Sequence, residues 1–165
     1  MQPEGTIIRQ LSISYELDGT GWAHCTVDDG AARCTVNASY LSDALGTLVL
    51  AGLGVLSGFS ALTFAFDEEP GEYRWIIRSP ERNTMELCLL AFDERRGNPA
   101  DSDGRLLLAT RCRPAVFARA VHAAAQAVLE RHGEAGYQER WAQHAFPSRQ
   151  LYLLGQALDL PENCA

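Results

Sequence analysis

The 165-residue chain contains no lysine; all fourteen of its basic residues are arginine. Against these stand 21 acidic residues, for a formal net charge of -7. A nucleic-acid-binding surface needs clustered positive charge, so this balance argues against nucleic acid as a partner. It suits a basic protein partner, a cation, or simple solubility. The all-arginine usage fits the coding bias of a GC-rich bacterial genome, and it favours bidentate pairing with carboxylates over point-charge contacts.

Catalytic and metal signatures are missing as well. The four histidines (His24, His122, His132, His144) form no H-x-x-x-H or H-E-x-x-H pair, which disfavours zinc sites of that type. No serine lies in a G-x-S-x-G elbow, and Gly52-Leu53-Gly54 lacks the rest of a dinucleotide fingerprint. The expectation is a chain with no catalytic residue, no metal and no cofactor. The five cysteines (Cys25, Cys34, Cys88, Cys112, Cys164) are odd in number and show no C-x-x-C spacing. The first residues lack the basic and apolar regions of a secretory signal, so a reducing, cytoplasmic setting is the expectation. The most apolar run, residues 44–56, is broken by glycines and falls short of the roughly 20 residues that cross a bilayer. It reads as a buried core helix, and no membrane association is expected.

What the chain does contain is period-two alternation. Leu62, Phe64 and Phe66 alternate with Ala61, Thr63 and Ala65; Tyr73, Trp75 and Ile77, and then Met85, Leu87 and Leu89, repeat the pattern. A further strand is expected over residues 105–111. Near the start, residues 6–17 read as a strand that turns at Asp18-Gly19. A three-residue loop, Asp18-Gly19-Thr20, would set Tyr15 opposite Ala23, Ile13 opposite Cys25 and Leu11 opposite Val27. A two-residue turn at Asp29-Gly30 would then place Cys25 opposite Cys34. Two small buried thiols are the plain reading of that pair; a redox couple is the sharper one.

Helical periodicity appears four times. Ser39 or Ser42 is the expected N-cap of a first helix with Leu41, Leu45, Leu48 and Leu56 as its stripe, widened by Val49, Leu50, Leu53 and Val55 until most of its circumference should be covered. Pro114 opens a second helix with Phe117, Val121, Ala124 and Val128 buried, ended by Gly133. Tyr137 and Trp141 suggest a third, and residues 151–158 a last. The polar stretch 93–104 reads as a mobile loop, with Asp93 and Glu94 pairing with Arg95 and Arg96. The expected fold is α+β, with a mainly antiparallel sheet of about seven strands in the order β-β-β-α-β-β-β-β-α-α-α and helices on one face. One domain is expected over 1–165, with a strand and helix core at 5–132 and a helical segment at 134–160.

The most conspicuous exposed feature is the acidic turn Asp67-Glu68-Glu69-Pro70-Gly71-Glu72. Its spacing does not match a calcium-binding loop, so a solvated turn or an acidic docking surface is the better reading. Asp67, Glu68, Glu69 and Glu72 are therefore candidate binding residues, joined by Trp22 and Trp75 if those prove exposed nearby, because tryptophan dominates interface hot spots. The segments Gly21-Trp22-Ala23, Ala38-Ser39-Tyr40-Leu41-Ser42-Asp43-Ala44-Leu45 and Asp67-Glu68-Glu69-Pro70-Gly71-Glu72-Tyr73-Arg74-Trp75 resemble those of small, uncharacterised bacterial α+β proteins, a group that includes candidate immunity proteins of toxin systems. The likeness spans residues 5–93 and rests on strand, turn and helix-start features. It implies a small binding protein that neutralises a toxin, with no catalytic residue to carry over. The alternatives are a small-ligand binder or enzyme with a pocket between sheet and helices, lined by His24, Thr35 or Arg33, and a homodimer through a sheet edge or the apolar tail.

Overall fold

The computed structural model describes residues 9–159. Seven strands and three helices form the α+β fold expected: β1 (Ser12–Asp18), β2 (Trp22–Asp28), β3 (Arg33–Ser39), α1 (Ala44–Leu56), β4 (Ala61–Glu68), β5 (Gly71–Glu81), β6 (Thr84–Phe92), β7 (Arg105–Cys112), α2 (Pro114–Trp141) and α3 (Ser148–Asp159). The strands form two antiparallel sheets, β1-β2-β3 and β4-β5-β6-β7, rather than one. The two helical segments expected on either side of Gly133 are joined as α2, with Gly133 (φ 65°) breaking the helical run between them. Residue 160 and Cys164, part of the sequence expectations, lie outside the described residues, as does the start of the first expected strand.

Inward positions of both sheets and of all three helices share one apolar core. Phe64, Phe66 and Trp75 form an aromatic group at its β4–β5 side, with Phe64 stacked on Trp75 at 5.4 Å between centroids and Phe66 tilted against it at 5.1 Å. Tyr137 and Trp141, one turn apart on α2, lie 6.2 Å apart, and the Trp141 indole donates to Ser42 O at 3.2 Å. The expected α2 stripe of Phe117, Val121, Ala124 and Val128 is buried.

The hairpin registers differ from those expected. Tyr15 faces Cys25, Ile13 faces Val27 and Leu17 faces Ala23, so the β1–β2 loop is Gly19-Thr20-Gly21. Gly21 decides this. Its φ of +83° is left-handed, and a Cβ there would come within 2.9 Å of the Tyr40 ring. Its N–H donates to Arg140 O at 2.8 Å, and its carbonyl accepts from Tyr40 N at 2.9 Å, so distant segments fix the turn. In the next hairpin the Asp29 carboxylate accepts from Ala31 N (2.9 Å) and Ala32 N (2.7 Å), holding a four-residue loop. Cys25 thus pairs with Val36 and Cys34 with Val27. The two thiols are not directly opposed. Each shift is by an even number of residues, so every side chain keeps its expected face. Burial pushes both thiols up, disfavouring the reactive thiolate a redox couple needs.

Asp43, not Ser39 or Ser42, caps α1: its carboxylate accepts from Gly46 N at 3.2 Å. Ser39 belongs to β3, and Ser42 instead accepts from Asp67 N at 3.4 Å. Nor is residues 93–104 a loose loop. Arg74, on the outer face of β5, donates to Pro99 O and to Asp101, both at 2.8 Å, and to Glu72 at 2.8 Å, with its guanidinium 4.2 Å above the Phe92 ring. The segment is folded back over a second, smaller apolar group of Ile76, Leu90 and Phe92. Arg95 pairs across the turn with Asp67 (2.8 Å) rather than with its own neighbours.

Candidate docking site

The acidic turn is dispersed by these contacts. Glu72 is buried against Arg74, and Asp67 is held by Arg95. Glu68 accepts from Asn37 Nδ2 at 3.3 Å. Burial pushes the neighbouring Tyr73 hydroxyl up to about 12, and its bond to Glu68 adds to the rise. Glu69 is exposed at the tip. Trp75 is wholly buried and so serves the core rather than an interface, whereas Trp22 is 39% exposed on the outer face of the first sheet. The candidate residues therefore do not form one patch. His24, Thr35 and Arg33 lie along that same outer face, on β2 and β3, and do not line the groove described below.

A different surface is more distinctive. β4 is an end strand, and among the described residues β5 is the one strand it pairs with. Its ladder parity is fixed by Ser79 N donating to Ser60 O at 2.9 Å. Bonded and non-bonded pairs alternate in an antiparallel ladder, so Leu62, Phe64 and Phe66 exchange bonds with Ile77, Trp75 and Tyr73. Ala61, Thr63, Ala65 and Asp67 then turn their N–H and C=O groups away from β5. The Asp67 N–H meets Ser42, as that parity requires. β3 approaches this C-terminal end through Asn37, leaving Ala61 and Thr63 exposed and Ala65 half-buried.

Edges of this kind are usually guarded by charge, proline or a covering element. Residues 61–66, Ala-Leu-Thr-Phe-Ala-Phe, carry neither charge nor proline. The other sheet end, β7, carries Arg105 and Arg111, and Arg9 N donates to Arg111 O at 2.9 Å. β1 packs against α2.

Beside the unguarded stretch, α1 and β4 enclose an open groove of about 400 Å³ lined by Leu50, Leu53, Phe59, Leu62 and Phe64, among others. Gly54 lets the helix lie close to the strand: a Cβ there would sit 2.8 Å from Leu62 Cδ1. α1 is buried over most of its circumference, as its composition suggested, but Leu50 on its open side is 53% exposed, and Phe59 just beyond its end is 60% exposed. The polar side chains of the lining are Thr47, Ser57 and Thr63, with no charged group among the lining residues.

No family model, curated protein or solved structure matches this chain. The resemblance to immunity proteins therefore rests on the quoted segments alone. Among the described residues no cluster of three or more His, Cys, Asp or Glu could hold a metal ion, and no helix is long and apolar enough to cross a membrane. Sequence reasoning missed this site because most apolar positions of α1 are taken up by α2 and α3, and the local signal was Phe59, isolated after Gly58.

Proposed function

We propose that the protein works by binding another polypeptide, adding an extended segment of it to the free edge of β4 while an apolar side chain of that segment seats in the α1–β4 groove. Strand addition supplies affinity through main-chain hydrogen bonds, and an adjoining pocket supplies specificity. The observation that carries this reading is the coincidence of an uncharged, unpaired strand edge with the exposed apolar pair Leu50 and Phe59. The groove is poorly suited to a small polar substrate, because sites for such molecules carry converging polar groups. The partner class implied by the resemblance is a toxin domain, and the net charge of -7 favours a basic one. Free thiols, with Cys25 and Cys112 buried, suit a reducing compartment such as the cytoplasm.

The test is capture from the host lysate, at low and high salt, by wild type, Leu50→Glu and Thr63→Pro. The proposal expects one partner, held by wild type and lost by both variants, with binding weakened by salt. A partner held equally by all three would overturn it. The groove's volume also admits a second reading, a small apolar ligand; a thermal shift with a hydrophobic probe, lost in Leu50→Glu but kept in Thr63→Pro, would favour it instead.

A further inference from the structure

The outer face of the first sheet carries a chain of side-chain hydrogen bonds that runs across four strands. Asp18 lies on β1, His24 on β2, Asn37 on β3 and Glu68 at the end of β4. His24 Nε2 is 2.8 Å from Asp18 Oδ2, and Nδ1 is 2.6 Å from Asn37 Oδ1. Asn37 in turn donates its amide Nδ2 to Glu68 Oε1 at 3.3 Å. Both neighbours of the imidazole are therefore acceptors.

A neutral imidazole has one N–H and one lone pair, so it can satisfy one of these contacts and must oppose lone pairs at the other. Reversing the Asn37 amide would relieve that clash only by turning Oδ1 onto the Glu68 carboxylate. The four groups are mutually consistent in one state, with His24 doubly protonated. We infer that His24 is a proton-operated tie that fastens the first sheet to the end of β4 when charged and releases it when neutral. This stands independently of the docking proposal.

The charged and polar groups facing the ring agree with it. Glu16 and Asp18 approach from β1, Asn37 from β3, and Glu68 stands behind Asn37 on β4. The bond to Asn37 and then that to Asp18 raise the His24 pKa, slight burial lowers it, and the Asp18 and Glu16 charges raise it further. A group whose pKa is raised by folding adds stability that is fully present below its unfolded value of about 6.5 and is lost as pH rises through the folded value. In the neutral state Asn37 is free to reverse, and Glu68 loses its partner on the first sheet.

The experiment is a nitrogen-detected NMR titration of the His24 ring and the Asn37 side-chain amide from about pH 5 to about pH 9, the range over which histidine changes charge. His24 is expected to titrate above its ordinary value, with both ring nitrogens protonated at the acid end. The Asn37 amide resonances should move with the same midpoint. In Asp18→Asn and in Asn37→Ala the midpoint should fall toward the ordinary value. A His24 midpoint at or below that value in wild type, or an Asn37 amide that does not follow it, would overturn the inference. As a second readout, the urea midpoints of wild type and His24→Gln should converge as pH rises through the His24 titration. A gap that stays constant with pH contradicts the tie.

Discussion

Replacing Arg74 by methionine gives the sharpest test of how the outer face of the second sheet is held. The side chains of Arg74 and Glu72 are only 9% and 11% exposed, whereas Asp101 is 48% exposed. The Arg74–Asp101 pair is thus half solvated and contributes about 0–1 kcal/mol. Arg74–Glu72 is a buried pair, and removing one member leaves a charge stranded, at a cost of about 3–5 kcal/mol. The guanidinium over Phe92 adds about 0.5–2 kcal/mol, not strictly additive with the ion pair. Arg74→Met keeps the apolar stem and should destabilise by about 3–5 kcal/mol, read from the urea midpoint. Glu72→Gln/Arg74→Met removes both charges and should recover most of that loss, to within about 2 kcal/mol of wild type. Since Arg74 also anchors Pro99 and Asp101, the single variant should free residues 93–104 and speed tryptic cleavage at Arg95 and Arg96. A single variant within about 1 kcal/mol of wild type, with an unchanged cleavage rate, would refute the latch.

Other substitutions test other parts of the account. Burial alone would raise the Asp29 pKa, but the Ala32 N–H, the Thr110 hydroxyl, the Ala31 N–H and the nearby Arg9 together outweigh it and hold the carboxylate low. Asp29→Ala should cost about 1–3 kcal/mol near neutrality, and the difference from wild type should shrink as pH falls below about 3.8 and through the folded value. Thr63→Pro should leave urea stability within about 2 kcal/mol of wild type, because the Thr63 N–H takes no part in the β4–β5 ladder and proline is tolerated at sheet edges. Phe64→Pro should fall at least about 2 kcal/mol below Phe64→Ala, because it deletes a ladder donor. Equal losses for the two proline variants, each measured against the corresponding alanine variant, would show the parity to be wrong.

Local pattern made much of the fold legible. Alternation fixed which residues of β4, β5 and β6 face the main core, Trp75 with Tyr73 and Ile77 among them, although Glu72, Arg74 and Ile76 on the opposite face of β5 are buried as well. Helical spacing identified the α2 stripe. The features that escaped depend on contacts remote in sequence. Gly21 sets its hairpin through Arg140 and Tyr40, and Asp43 displaces Ser42 as cap while Ser42 serves Asp67. Arg74 reaches Asp101 across 27 positions, so the polar stretch 93–104 looked loose when it is latched. The same distant pairing consumed the acidic turn: Asp67, Glu68 and Glu72 each find a partner that composition could not assign. Charge alone drew attention to that turn, whereas the candidate site is marked by the lack of charge on an unpaired strand.

The most direct measurement is amide hydrogen exchange along β4, in the free protein and in its complex with the captured partner. The account predicts fast exchange at Ala61 and Thr63 and slow exchange at Leu62, Phe64 and Phe66 in the free protein, with Ala61, Thr63 and Ala65 becoming protected on binding. Ala61 and Thr63 already protected when free, or protection on binding that appears elsewhere and spares β4, would contradict it.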